Sequence, residues 1–509
     1  MTTRRVLALA AVASGVLLSL PAGAAPTAEV FVLDGKGYGH GVGMAQDSAN
    51  AMAAAGLDHE QILQHFYPGT TRARRSSLIR VAVWEAGAPA GEVQLTVPRG
   101  AQVGDGSRSV QARPGAVLRV VADGAGYHVR EAVPPQGAAV RAALLESPSP
   151  SPSGGPLPPV IPSPSPASSP SASPRPTAAG SPPPRSAAPR PSSAAPAPAP
   201  ATAAPSPSGD APLTFDSSSP VTVAPLSGGT TTVGATGRSY RGQILAISRS
   251  GFRLVDVLDI EDYLRGLGEV PSSWPAAALR TQAVAARTYA LRAVGAGHPL
   301  GYDVCDDTRC QVFLGVQSES PRSAAAAAYT RGEVVTYRGG LADTFYSANA
   351  GGVTATPGEG FGGTSTSPYL PGGVNAPGGV APWKVTASPA DIAARLGYSG
   401  RLDVITVAAK GPSGRVTRLR LDGAAGPVEL TGVDAARRLG LRSTLFTVTR
   451  ATGTAQPLPA SAAAPVQLAP AQAAVVAAEP SPSPVPAPQI ASAAAPVRSK
   501  DSVPTWLVG

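Results

Sequence analysis

Leu258-Asp259-Ile260-Glu261-Asp262-Tyr263-Leu264-Arg265-Gly266-Leu267-Gly268-Glu269-Val270-Pro271, then Ser273-Trp274-Pro275, then Leu279-Arg280-Thr281-Gln282-Ala283-Val284-Ala285-Ala286-Arg287-Thr288-Tyr289, is the stretch on which the fold turns. The apolar run from Gly251 to Val257 ahead of it reads as a strand, and Ile260 to Leu267 as a short helix. A longer helix is expected from Pro275 to about Arg292, because proline suits a first turn and Ser272 or Ser273 stands ready as a cap. The alanines at 283, 285, 286 and 290 would let another element pack closely on it.

Outward from this stretch, strands and helices mix without a regular βαβ rhythm. Strands are expected at 221–223, 243–248, 334–337, 342–347, 404–408 and 415–421. Nearer the start, Glu29 to Leu33 reads as a strand, followed by the glycine-dense Gly35-Lys36-Gly37-Tyr38-Gly39-His40-Gly41-Val42-Gly43-Met44. Helices are expected over 45–55 and from Asp58 to Phe66, and β-like runs at 78–84, 93–97, 117–121 and 127–129. The fold class is α+β.

Residues 1–25 read as an export signal: Arg4 and Arg5, an apolar run from Val6 to Leu20, and the small-residue Pro21-Ala22-Gly23-Ala24. No later stretch approaches about 20 apolar residues, so no transmembrane anchor is expected. A secreted, extracellular or wall-associated protein follows. Residues 146–209 hold 22 of the 56 prolines and 451–509 another 11, so neither can bury a core. The first reads as a disordered linker with a reach of roughly 200 Å, the second as a disordered tail. Two foldable pieces remain, 26–145 and 210–450. The formal net charge is +9, from 41 basic and 32 acidic residues, which suits anionic polymers or a solvated surface equally. No helix-turn-helix, zinc-finger or basic-aromatic pattern is present, and export argues against nucleic acid.

The opening stretch, together with Gly37 to Gln46 and His65-Phe66-Tyr67-Pro68-Gly69-Thr70, resembles the SpoIID/LytB family, stage II sporulation protein D and the amidase enhancers. Tyr302 to Cys305, Cys310 to Phe313, Ser347 to Gly352, Pro368-Tyr369-Leu370 and Leu439 to Thr444 match its pattern as well. Many members carry the glycine–histidine stretch after the Arg-Ser-Thr segment, whereas here it comes first. The order implies one composite domain, with the His40 segment docked on the 210–450 core across the linker.

The resemblance implies a peptidoglycan lytic transglycosylase with Glu269 as its acid/base. Ordinary glycosidases use two carboxyl groups. A lytic enzyme uses the sugar's own C6 hydroxyl as nucleophile, so one carboxyl suffices and a 1,6-anhydro sugar results. Glu269 must then be protonated near neutral pH. Val270, Pro271 and Trp274 would desolvate it, while a helix N-terminus would oppose protonation; capping that helix is the competing role. Family matches also give His40, Gln46, Gln282, Arg287, Tyr289, Ser347, Asn349, Gly351 and Gly352 as candidate substrate-binding residues. Arg287, roughly 18 Å along its helix, better suits orienting a carboxylate or holding the fold. Gln282 and Tyr289 share a helix face, and Ser347 has no nucleophile context. Tyr346 stands where members often have histidine. Cys305 and Cys310 fit a disulfide in an exported chain; zinc with His298 and a free thiol pair stay open. Otherwise no cofactor is expected. The expected partners are glycan strands and a wall amidase. The non-catalytic alternative is a wall-binding modifier that stimulates that amidase.

Overall fold

The computed structural model describes residues 28–132 and 212–460, apart from 89, 297, 298 and 365. The expected export signal, the linker at 146–209 and the tail beyond 460 lie outside the described residues, as does His298.

The first elements are β1 (Ala28–Lys36), β2 (Met44–Ala45), α1 (Gln46–Ala54), α2 (His59–Phe66), β3 (Thr71–Arg74) and β4 (Leu78–Glu85). They do not form a unit of their own. β1 is the middle strand of a three-stranded antiparallel sheet, between Pro382–Ala387 and Phe446–Gly453. Its Phe31 and Leu33 are buried among Trp383, Ile392, Leu396, Leu419 and Leu439. At roughly 1.5–3 kcal/mol for each large apolar side chain, this burial is a main tie between the chain's start and end. The strand Phe446–Gly453 runs three residues past the expected boundary at 450, so the tail begins inside the sheet.

β4 likewise enters a seven-stranded sheet from within, next to β5 (Phe252–Asp259) and parallel to Val304–Cys305. Ile79, Val81, Ala82 and Val83 of β4 and Phe252, Leu254 and Val255 of β5 are all buried. Such near-continuous apolar runs are what a central strand covered on both faces requires. A six-stranded sheet also pairs Gly126–Glu131 with Thr214–Ser217. Pairing is mostly antiparallel and helices are interspersed, so the molecule is α+β.

Four further elements build the site: α3 (Ile260–Arg265), α4 (Ala276–Ala293), β6 (Glu333–Tyr337) and β7 (Tyr346–Ser347). α4 is the central helix, with Ala285, Ala286 and Ala290 fully buried, and α1 and α2 pack on it. Its N-cap is Pro275 and no side chain caps it; neither Ser272 nor Ser273 takes that part. By contrast α2 opens on a complete capping box between Asp58 and Gln61. The strand expected over 342–347 shrinks to β7, which pairs in parallel with β2. No helix among the described residues is long and apolar enough to cross a membrane.

Candidate active site around Glu269

Glu269 sits on the segment between α3 and α4, half-buried. The segment is pinned to residues 312–314 by Gly268 N–H to Val312 O at 2.9 Å and Leu314 N–H to Gly266 O at 2.9 Å. This places the Val312 N–H 2.7 Å from Glu269 Oε1, as a donor to the carboxylate. The side chains of Tyr346 and Gln46 also hydrogen-bond to it. Burial holds the Glu269 carboxyl above its ordinary value, and these three donors offset only part of that. Glu269 does not cap α4, which begins seven residues later with Pro275 as its N-cap.

The donors are themselves held. Tyr263 OH donates to Gln311 Oε1 at 2.8 Å, and Gln311 Nε2 donates to Tyr346 OH at 2.7 Å. The Tyr346 oxygen thus accepts from Gln311 and keeps its proton for Glu269. Burial and the Glu269 charge keep Tyr263 and Tyr346 well above the usual phenol range and push Tyr289 up to about 12. Tyr289 lies edge-on to Phe345 and Tyr346. Gln46, the first residue of α1, donates to Gln282 Oε1 at 3.3 Å. Gln282 Nε2 is buried without a hydrogen-bond partner among the described residues. A ligand carbonyl or hydroxyl would satisfy it.

His40 faces inward. Its Nδ1 accepts the Val42 N–H at 3.0 Å, and its other nitrogen donates to the Tyr346 carbonyl. Burial, with Arg415 nearby, pulls it down to about 4, so the ring is neutral. It leans on Phe361 at 4.7 Å between centroids. With both nitrogens engaged, His40 positions Tyr346 and is not a proton donor to substrate. Glycine is required around it: a Cβ at Gly41 would strike the Arg415 guanidinium and one at Gly43 the Phe345 carbonyl, and both residues have positive φ.

Ser347 and Asn349 serve the same joint. Ser347 Oγ accepts the Gly41 N–H at 3.2 Å. The Asn349 amide donates to Asp47 Oδ2 and to Gly379 O, and its Oδ1 accepts the Gly351 N–H. Gly351 and Gly352, both at positive φ, turn the chain beside it. These residues hold loop to loop through these bonds.

Arg287 takes the position expected of a residue that orients a carboxylate and holds the fold. It is fully buried and forms a bidentate ion pair with Glu261, at 3.0 and 2.6 Å. Its remaining donors go to Thr330 Oγ1, Glu333 O and Ala327 O. It orients a carboxylate and ties α4 to α3 and β6.

Cys305 and Cys310 are joined in a disulfide with Cα atoms 5.4 Å apart. So bonded, neither sulfur is a thiolate for zinc. Gln311 and Val312, two of the groups that set Glu269's surroundings, follow directly. His59, Glu60 and Glu333 lie close enough to share a cation, but Glu333 is already paired with His59 and Arg72. A groove of about 540 Å³ lined by Glu60, Gln61, Gln64, His65, Thr70 and Arg72 includes none of the Glu269 cluster.

The structure therefore gathers Glu269, Gln46, Gln282 and Tyr289, with His40 behind Tyr346. Sequence reading missed Gln311, Val312 and Tyr346 as partners. Gln311 and Val312 stood inside a matched segment, and Tyr346 stood out only as a departure.

The family model for stage II sporulation protein, SpoIID, matches residues 248–337. That span carries Glu269, Gln282, Tyr289, Gln311 and Val312. An uncharacterized protein of Brachyspira hyodysenteriae is 32% identical over 199 residues, 36% of this chain and 53% of that protein. The amidase enhancer of Bacillus subtilis is 37% identical over 102 residues, 20% of this chain and 13% of that protein. The chain thus spans about half the length of the first relative and a smaller part of the second. No solved structure matches. The match and the likeness to the amidase enhancer place residues 248–337, which carry Glu269, Gln282, Tyr289, Gln311 and Val312, in the SpoIID/LytB family, while Gln46, His40 and Tyr346 reach the cluster from outside that span.

Proposed function

We propose that this chain acts at the bacterial cell wall as a lytic transglycosylase on peptidoglycan glycan strands, secreted and wall-associated, with Glu269 as sole acid/base. One observation carries the reading: a desolvated carboxyl with a raised pKa, whose hydrogen-bonding partners are an N–H, a phenol and an amide. Protonated Glu269 gives its proton to the glycosidic oxygen as the C1–O bond breaks. The C6 hydroxyl of the same sugar then bonds to C1, and its proton passes to the Glu269 carboxylate, restoring the acid. The ring closes on itself, so neither water nor a second carboxylate is consumed. The site is composite, because Gln46 and His40 come from the segment before residue 132 and Glu269 from the core. Burial suits an acid of this kind, since it favours the protonated over the ionised carboxyl.

The test is digestion of purified peptidoglycan followed by mass spectrometry of the products. The parent protein is expected to release 1,6-anhydro ends, and Glu269→Gln to lower their rate at least about a hundredfold. Absence of new glycan ends from any peptidoglycan would overturn the reading. A second reading, a wall-binding stimulator of an amidase, draws on the likeness to the Bacillus subtilis amidase enhancer and on the +9 charge. It expects faster stem-peptide release by an added amidase, with Glu269→Gln as effective as the parent.

A further inference from the structure

Exposed arginines gather where β3 ends beside the helix Pro321–Tyr329. Arg74 pairs in register with Glu333, and its guanidinium donates to the Arg331 carbonyl. Arg75 N–H donates to Gly332 O at 2.8 Å. The backbone beneath them is fixed, because Gly332 N–H donates to Glu261 Oε1 at 2.9 Å and Arg287 reaches Thr330 Oγ1. None of Arg74, Arg75 and Arg331 has a carboxylate partner among the described residues. The acids of this corner are committed elsewhere: Glu261 to Arg287, and Glu333 to His59 and Arg72, with Glu60 also acting on Arg72.

Two large apolar side chains stand among these cations. Leu78 is 60% exposed and Tyr329 61% exposed. Leu78 lies three residues from Arg75, and Tyr329 three from Gly332, so each is within about 10 Å of the bond joining those two. The Arg280 guanidinium covers one face of the Tyr329 ring at 3.6 Å and His59 meets the ring edge-on, so it is held in place while exposed. A soluble polyanion would use the arginines and gain nothing from the leucine and the ring. A lipid surface uses both kinds of group. Head-group phosphates pair with guanidinium groups, and the interface takes up Leu78 and a ring whose hydroxyl stays in water.

We propose that Arg74, Arg75 and Arg331, with Leu78 and Tyr329, form a docking surface for an anionic phospholipid membrane. The arginines draw the chain to the surface, and the two apolar side chains hold it there, reversibly and without a spanning segment. For a chain acting at the wall, as proposed above, that surface is the outer face of the cell membrane.

The test is co-sedimentation of the full chain with vesicles of phosphatidylcholine alone and of equal parts phosphatidylcholine and phosphatidylglycerol. The parent should bind the mixed vesicles only, and less as salt rises. The triple variant Arg74→Ala, Arg75→Ala, Arg331→Ala should weaken that binding about a hundredfold, about fivefold for each cation. A control triple, Arg119→Ala, Arg401→Ala, Arg418→Ala, removes the same charge where the arginines are already paired with Glu92, Asp403 and Glu429, and should change it little. Leu78→Ser with Tyr329→Ser should weaken vesicle binding about tenfold and leave binding to soluble polyphosphate unchanged. No binding to the mixed vesicles, or an equal loss in the two triples, would overturn the surface. A leucine–tyrosine double variant that binds vesicles like the parent would assign the arginines to a soluble polyanion and overturn the lipid partner. The vesicles carry no glycan, so failure here leaves the reading at Glu269 standing, and inactivity at Glu269 leaves this surface standing.

Discussion

Glu269 depends on a proton that three neighbours are built to remove. Burial wins, but the contest is tunable one donor at a time. Tyr346→Phe deletes the phenolic donor and leaves the ring against Tyr289, so the carboxylate loses stabilisation and its pKa rises further. One hydrogen bond of about 1 kcal/mol corresponds to roughly 0.7 pH unit. The alkaline limb of the activity profile should therefore move up by about that much, while the melting temperature falls because Gln311 Nε2 loses the phenol as acceptor. A limb that stays put, measured over pH 5 to 9, would show that the phenol does not touch the carboxyl in solution. At this scale Glu269 was legible through the family resemblance of its segment, with Val270, Pro271 and Trp274 as its expected desolvating neighbours. Its donors were not, because Tyr346 lies 77 residues away and Gln46 still further, and no local pattern announces such a meeting.

Among the elements, the segment after the disulfide bears most directly on activity. Cys305 is fixed by its strand against β4, and the bridge delivers Gln311 and Val312 to the site from there. Closing so short a loop is worth about 2 kcal/mol in the chain-entropy account. Replacing both cysteines with serine should lower the unfolding free energy by about that much. It should reduce turnover at temperatures where the protein is still folded, because the Val312 N–H is then less well placed. Unchanged turnover in the double variant, or in the parent under dithiothreitol, would remove the bridge from any positioning role. Helices and long apolar strands could be read in advance: Asp58 with Gln61 announces α2, and Gln243–Ser248 is an unbroken apolar run between polar ends. Short strands could not. Thr71–Arg74 has alanine as its sole hydrophobic residue and is a strand only because β6 lies beside it, and Thr231–Val233 and Arg238–Tyr240 are too brief to show a period.

For the whole molecule, stability is tied to pH through Asp256, buried within the seven-stranded sheet. Burial pushes it to about 8, and the Gly242 N–H only partly offsets this. The folded state therefore binds this proton more tightly than the unfolded state does. Its contribution is complete below about pH 4 and is lost as pH rises towards 8, at up to about 1.4 kcal/mol per pH unit. Asp256→Asn, which mimics the neutral acid, should flatten the stability curve across that window and raise the melting temperature at pH 8. A curve of unchanged slope in the variant would assign the pH dependence elsewhere. The α+β class was readable from the mixture of periods. The strand order was not, since five sheets among the described residues each combine strands from before residue 132 with strands from after residue 212.

β1 pairs Phe31 with Arg450, and that single register sets a timetable. A chain made from its first residue onward holds its opening strand idle until the last strand of the fold exists, with contacts of the kind that make folding slow. Until then β1 lacks one of its two neighbours, and the glycine loop behind it lacks the Arg442 carbonyl that anchors Gly39. On the activity proposed for Glu269, a truncated or half-made product would thus be inert, and the chain would be armed once Phe446–Gly453 is in place.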